Sequence, residues 1–142
     1  MNNMSSLQDL LAAQLQAICD LETLLGEETQ AIAYRKSDDI QACAKRKLTL
    51  LNQIKQGDTS ISQCSEISEP SDEHREKIDE IKKLLSHCHQ LNETNGDALK
   101  RAHLSMHKLR NMFQEAAGRF EMTYDSEGQA SGSKTLGTNV KA

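Results

Sequence analysis

From Ile78 to Phe120 the apolar positions step by three and four residues without a slip. The ladder is Ile78, Ile81, Leu85, Cys88, Asn92, Asn95, Leu99, Ala102, Met106, Leu109, Phe113, Ala116 and Phe120. This is the 3.5-residue period of a helix packing along a seam. The phase passes through Asn95-Gly96, a dipeptide that elsewhere would be the strongest turn signal in the chain. A turn there would leave nothing to hold the downstream pattern in register. The spacing therefore predicts one helix over residues 71–120, about 75 Å long at ~1.5 Å per residue. A compact domain of this size cannot cover such a rod, so part of it awaits a partner.

Two shorter helices precede it. The first, over residues 5–35, opens on a capping box of Ser5 and Gln8. Its stripe is Leu7, Leu11, Gln14, Ile18, Leu21, Leu25, Glu28 and Ile32, widened by Leu10, Leu24 and Ala31. The second, over residues 37–56, has Ser37 as N-cap and Asp38 and Asp39 in its first turn, where the helix dipole favours acids. Its stripe is Ile40, Ala44, Lys47, Leu51 and Ile54, with Leu48 and Leu50 beside it, and Gly57 is the expected stop. The short connection makes the pair an antiparallel hairpin. Residues 57–70 lack a clean period and read as a linker with a helical turn near Ile61 to Cys64; Pro70 opens the third helix. Residues 125–142 offer almost nothing to bury and read as a flexible tail. The expected fold is all-α: an elongated antiparallel bundle, a single domain over residues 1–124, with an N-terminal hairpin packed on a long third helix.

Composition narrows the function. The chain has 142 residues with no Trp, two Tyr and two Phe, so an aromatic-filled catalytic core is not expected. Net charge is −4, and the densest basic cluster, Lys45-Arg46-Lys47, is short and lies in a helical pattern. It reads as a solvated face, which argues against nucleic acid as a partner. The four cysteines have no C-x-x-C spacing. The first residues lack a basic region followed by an apolar run, so no signal peptide is expected. No stretch reaches the length of a membrane span. The expectation is a cytoplasmic protein with reduced thiols and no membrane insertion.

Four polar residues interrupt the seams. Asn92 and Asn95 occupy successive positions of the third-helix ladder. A buried Asn there fixes register, because mispairing strands its amide; the other reading is a seam open to water. Glu28 and Lys47 lie on the seams of helices one and two. They either pair and fix the hairpin register or snorkel outward.

No arrangement of residues signals an enzyme, a cofactor or a metal. His87-Cys88-His89 places adjacent residues about 100° apart on a helix, too far round to share an ion. His103 and His107 have chelating spacing but no third ligand on their face. There is no Gly-rich phosphate loop and no nucleophile with a recognisable base.

Several short patterns recur in a telling order. They are Leu21-x-x-Leu24-Leu25-x-x-Glu28, then Lys47-x-x-Leu50-Leu51, then Leu91-Asn92-x-x-Asn95-Gly96. Spaced Leu99, Leu104 and Leu109 follow, and a closing Thr123-Tyr124-Asp125 with Gly128. Over residues 7–128 the chain thereby resembles the FlgN family of flagellar type III export chaperones. The resemblance implies a cytosolic protein that binds unassembled hook–filament junction proteins, FlgK and FlgL, and delivers them to the export gate. It also implies client binding by the C-terminal part of the third helix, and docking to the gate protein FlhA through a tyrosine near that helix end, here Tyr124.

Helix lengths point to the same place. The hairpin covers only the first part of the third helix. Beyond it lie Leu104, Met106, Leu109, Met112, Phe113 and Phe120, a client-binding surface on this reading. Met adapts to irregular partner helices. The competing reading is a coiled-coil scaffold or homo-oligomeric adaptor that buries this seam against itself, with weak self-association as its mildest form.

Overall fold

The structure, a computed structural model, describes residues 6–124, and of Met106, Ala117 and residues 119–124 the backbone alone. Three α-helices follow in order: α1 (Leu7–Ala33), α2 (Ser37–Gln63) and α3 (Asp72–Tyr124), with a 3-10 turn at Ser65–Ser68 before α3. No strand occurs among the described residues. The all-α helical bundle expected from the pattern is the class observed. The expectation of a flexible tail over 125–142 falls outside the described residues. Packing divides the chain after Gly96 into two units.

The first unit is built around α1. Every member of its stripe, Leu7, Leu11, Gln14, Ile18, Leu21, Leu25, Glu28 and Ile32, is buried, as are Ala17, Leu24 and Ala31. The stripe is wide enough to receive helices on two sides. Ile54 of α2 and Cys88 of α3 join Ile18, Leu21 and Leu25 in the core, and Leu50, Ile81, Leu84 and Leu91 pack against it.

The ends of the helices are fixed by named bonds. Ser6 is the N-cap of α1, its Oγ accepting the Asp9 N–H at 3.2 Å. The cap expected at Ser5 is therefore one residue early. A carboxylate oxygen of Glu66 accepts the Leu7 N–H at 3.0 Å. Residues 57–70 are accordingly not a plain linker. Helix α2 runs on through Gly57 to Gln63, and the turn behind it places an acid at the positive end of α1.

Helix α1 closes in a Schellman arrangement. Lys36 N–H donates to Ala31 O and Arg35 N–H to Ile32 O, with Arg35 at φ 56°, where glycine is the usual occupant. The N-cap of α2 is Lys36, so Ser37 is its first helical residue rather than its cap. At the start of α3, Ser71 Oγ accepts the His74 N–H while His74 Nδ1 accepts the Ser71 N–H. This is a reciprocal cap with histidine in the role usually taken by Glu. Pro70 precedes the cap and does not enter the helix.

Two stripes differ from the sequence expectation. In α2, Ala44, Leu48 and Leu51 are exposed, and the inward row is Ile40, Cys43, Lys47, Leu50, Ile54, Gly57 and Ile61. Small residues hold two of these places because the helices approach closely. Gln14 lies directly over Gly57, where a Cβ would collide with its side chain. The Gln14 amide instead donates to Ile54 O at 2.9 Å. In the part of α3 within the first unit, Leu84 and Leu91 turn inward beside Ile81, Cys88 and Asn95, leaving Leu85 and Asn92 on the edge. Asn95 and Gly96 are both helical, as the unbroken phase requires.

Candidate interaction site

Glu28, Lys47, Asn92 and Asn95 meet in the first unit. Lys47 Nζ lies 2.8 Å from Glu28 Oε2, and the two side chains are 19% and 6% exposed. The same Nζ donates to Asn92 Oδ1 at 2.7 Å. From α3, Asn95 Nδ2 donates to Glu28 Oε1 at 3.0 Å and to Leu25 O at 2.9 Å. The Thr29 hydroxyl stands 2.7 Å from Asn95 Oδ1. Three helices are thus joined through one buried carboxylate.

The chemistry of this cluster is structural. Glu28 is compensated by a cation and an amide, and Asn95, 3% exposed, is bonded on both sides of its side chain. A carboxylate so bound and 6% exposed is turned away from solvent. Removing one partner of such a pair leaves an uncompensated buried charge, whereas the intact pair adds little net stability. Thr29 was not singled out by the sequence pattern. Its only signal is its place one residue after Glu28, on the side that α3 approaches.

In the second unit, Leu104, Leu109, Met112 and Phe113 are 57%, 51%, 59% and 71% exposed. Met106, Phe120 and Tyr124 belong to α3, but their side chains lie outside the described residues. A shallow concavity of about 330 Å³ is bordered by His103, His107, Leu109, Arg110 and Phe113. Isolated exposed leucines are ordinary; here four large apolar side chains are exposed within ten residues of one helix. The same stretch is cationic, with Lys100, Arg101, Lys108 and Arg110 against Asp97 and Glu115.

His103 and His107 face each other, Nε2 to Nε2, at 2.7 Å, with their rings edge to face. One Nε2 must donate and the other accept, so the two rings are in different tautomers when both are neutral. Loss of water contact, then His103 and Arg110, hold His107 below the ordinary histidine pKa. Among the described residues no three His, Cys, Asp or Glu side chains are placed to hold a metal ion. All four cysteines are free thiols. Burial raises the Cys88 thiol pKa, with Glu22 and Cys19 adding to it; burial followed by Glu28 raises that of Cys43. These are packed groups held in the unreactive form. No described helix is long and apolar enough to cross a membrane.

A protein-family model described as FlgN protein matches residues 1–132, nearly the whole chain. No curated protein and no solved structure matches significantly.

Proposed function

Because the chain belongs to the FlgN family of flagellar chaperones, we propose that it is a cytoplasmic export chaperone for hook–filament junction proteins of the FlgK and FlgL kind. On this reading it keeps them unassembled and passes them to the type III export gate. The client lies against the second half of α3, on Leu104, Met106, Leu109, Met112, Phe113 and Phe120. Tyr124, at the end of α3, docks to FlhA. The reading supplies no catalytic step and no cofactor.

The observation that carries this proposal is the exposed Leu104, Leu109, Met112 and Phe113 on one stretch of helix. An amphipathic client helix laid on that stretch removes its apolar area from water, and methionine accommodates an irregular partner. The test is a calorimetric titration of the full chain with a junction protein, with light scattering to fix the stoichiometry. The expected result is a monomer that forms a 1:1 complex. Leu109→Asp and Phe113→Asp each weaken binding strongly with helicity retained, because a charge must be desolvated at the interface. Tyr124→Ala spares client binding and impairs association with FlhA. A tight dimer that ignores junction proteins overturns the proposal in favour of a homo-oligomeric scaffold.

A further inference from the structure

The first unit carries an apolar groove that its own helices do not fill. Leu21 and Leu25 of α1 and Cys88 of α3 form the floor, with Leu51 of α2 and Leu85 of α3 as walls. Leu51 and Leu85 are 44% and 41% exposed, each at the edge of its helix's inward row. The groove encloses about 450 Å³. Along α3 it runs from Lys82 to Asn92, about three turns or ~15 Å. At one end the Lys47–Asn92 bond ties α2 to α3.

Three helices around a seam leave the place of a fourth, and laying an amphipathic helix into such a groove is a recurrent mode of recognition. Charge selects the occupant. The polar groups along the groove are Lys47, Lys82, Ser86, His89 and Asn92, without a carboxylate among them. This stands out on a chain of net charge −4. Lys47 is neutralised by Glu28. Lys82 makes no ion pair among the described residues. His89 lies two turns further along the same edge of α3, its Nε2 3.2 Å from Glu93 Oε1, so Lys82 is the cation of that edge without a carboxylate partner among the described residues.

The geometry points to this groove as a docking site for an amphipathic helix of another protein. That helix is about three turns long, with aliphatic side chains at i, i+3 or i+4, and i+7, and carboxylates along the edge that meets Lys82. The chain's own residues 125–142 do not have this character. Their large aliphatics are Leu136 and Val140, and Lys134 and Lys141 balance Asp125 and Glu127. A second copy does not fit either, since its exposed apolar stretch would bring Arg101, Lys108 and Arg110 against Lys82. The site is separate from the α3 face assigned to the client and stands whether or not that assignment holds.

The experiment uses a designed helical peptide of fourteen residues with a leucine stripe and glutamate flanks, and an isomer in which lysine replaces every glutamate. Each is titrated into the full isotope-labelled chain, followed by amide NMR and by fluorescence anisotropy. The glutamate peptide is expected to move the resonances of Leu21, Leu51 and Leu85 and to bind at least about tenfold tighter than the lysine isomer. Lys82→Glu is expected to reverse the preference. Leu85→Ser weakens binding of the glutamate peptide with thermal unfolding unchanged, because Leu85 is already partly exposed. Equal binding of the two isomers, shifts confined to residues 97–116, or no binding overturns the proposal. Groove shifts produced by raising the protein concentration alone overturn it in favour of a second copy.

Discussion

The two stretches of α3, before and after Gly96, follow the same three-and-four apolar period but put it to different use. In the first, Cys88 and Asn95 are buried, and Asn95 is bonded to the carboxylate of α1. In the second, Leu104, Leu109, Met112 and Phe113 remain half exposed or more. Periodicity states which side chains share a face; it does not state what covers that face. A heptad ladder is thus equally the mark of an internal core and of a surface kept for a partner.

The largest expected effect separates the two stretches by stability. Leu25→Ala, in the core that the first stretch packs against, is expected to cost about 4 kcal/mol in urea unfolding, counting the cavity it leaves. Leu109→Ala, at a half-exposed position, is expected to cost under about 0.5 kcal/mol. Similar losses for the two would erase the distinction.

Next comes the polar cluster. Lys47→Met strands the Glu28 carboxylate and is expected to cost about 3 kcal/mol, the lower end for breaking a buried pair because Lys47 keeps some water. Adding Glu28→Gln should recover most of that loss. A single variant that unfolds like the parent would mean that the pair has no role in the first unit.

Alkali and acid should address different stretches. Cys43 and Cys88 have thiol pKa values raised above 9.0 in the folded chain, chiefly by burial. Below pH 9 folded and unfolded chains both keep these protons, and the contribution is fully present. As pH rises further, the unfolded chain releases them first, so stability falls through the folded values. A Cys43→Ala, Cys88→Ala variant should lose stability less steeply above pH 9. His107 shifts the other way, held below 6.5 by desolvation, His103 and Arg110. Its contribution is present above that pH and lost on acidification through its folded value. NMR titration should find it neutral where an ordinary histidine is half protonated, and His103→Ala should move it upward.

The smallest effect sharpens the comparison by stabilising one side alone. Arg35 holds a left-handed conformation at φ 56°, which costs a non-glycine residue roughly 1 kcal/mol or more. Arg35→Gly should raise the stability of the first unit by about 0.5–1 kcal/mol, since the gain is partly offset by glycine's entropy in the unfolded chain. Under the proposed function, affinity for a junction protein should not change.

The buried face of helix α1 was legible because it is wide and made mostly of large aliphatics, whereas its cap was read one residue early. The continuity of α3 through Asn95-Gly96 was legible because a strict period survives one weak residue. The inward row of α2 was not, since Cys43 and Gly57 carry little hydrophobic signal yet lie where the helices come closest. Gly57 looked like a stop for the same reason. Glycine marks both helix ends and close approaches, and Gln14, which distinguishes them here, is forty-three positions away. The pairing of Glu28 with Lys47 was open from sequence between contact and solvent, because register is a property of two helices and not of either one.

The bond from Asn95 to Glu28 also bears on how fast the chain finds its fold. A repeating ladder offers many near-equivalent alignments, each a heptad apart. A slip of one heptad would bring Cys88 or Ala102 opposite Glu28 and leave the carboxylate facing a group that cannot donate well to it. Each wrong alignment then strands the Asn95 amide and costs Glu28 one of its donors, and is shallow enough to escape. Refolding of the parent should be a single fast exponential, as expected for a helical protein with mostly local contacts. In a chain carrying leucine at both Asn95 and Glu28, the misaligned states lose that penalty. Slower, heterogeneous refolding phases should then emerge, even if the final structure is more stable.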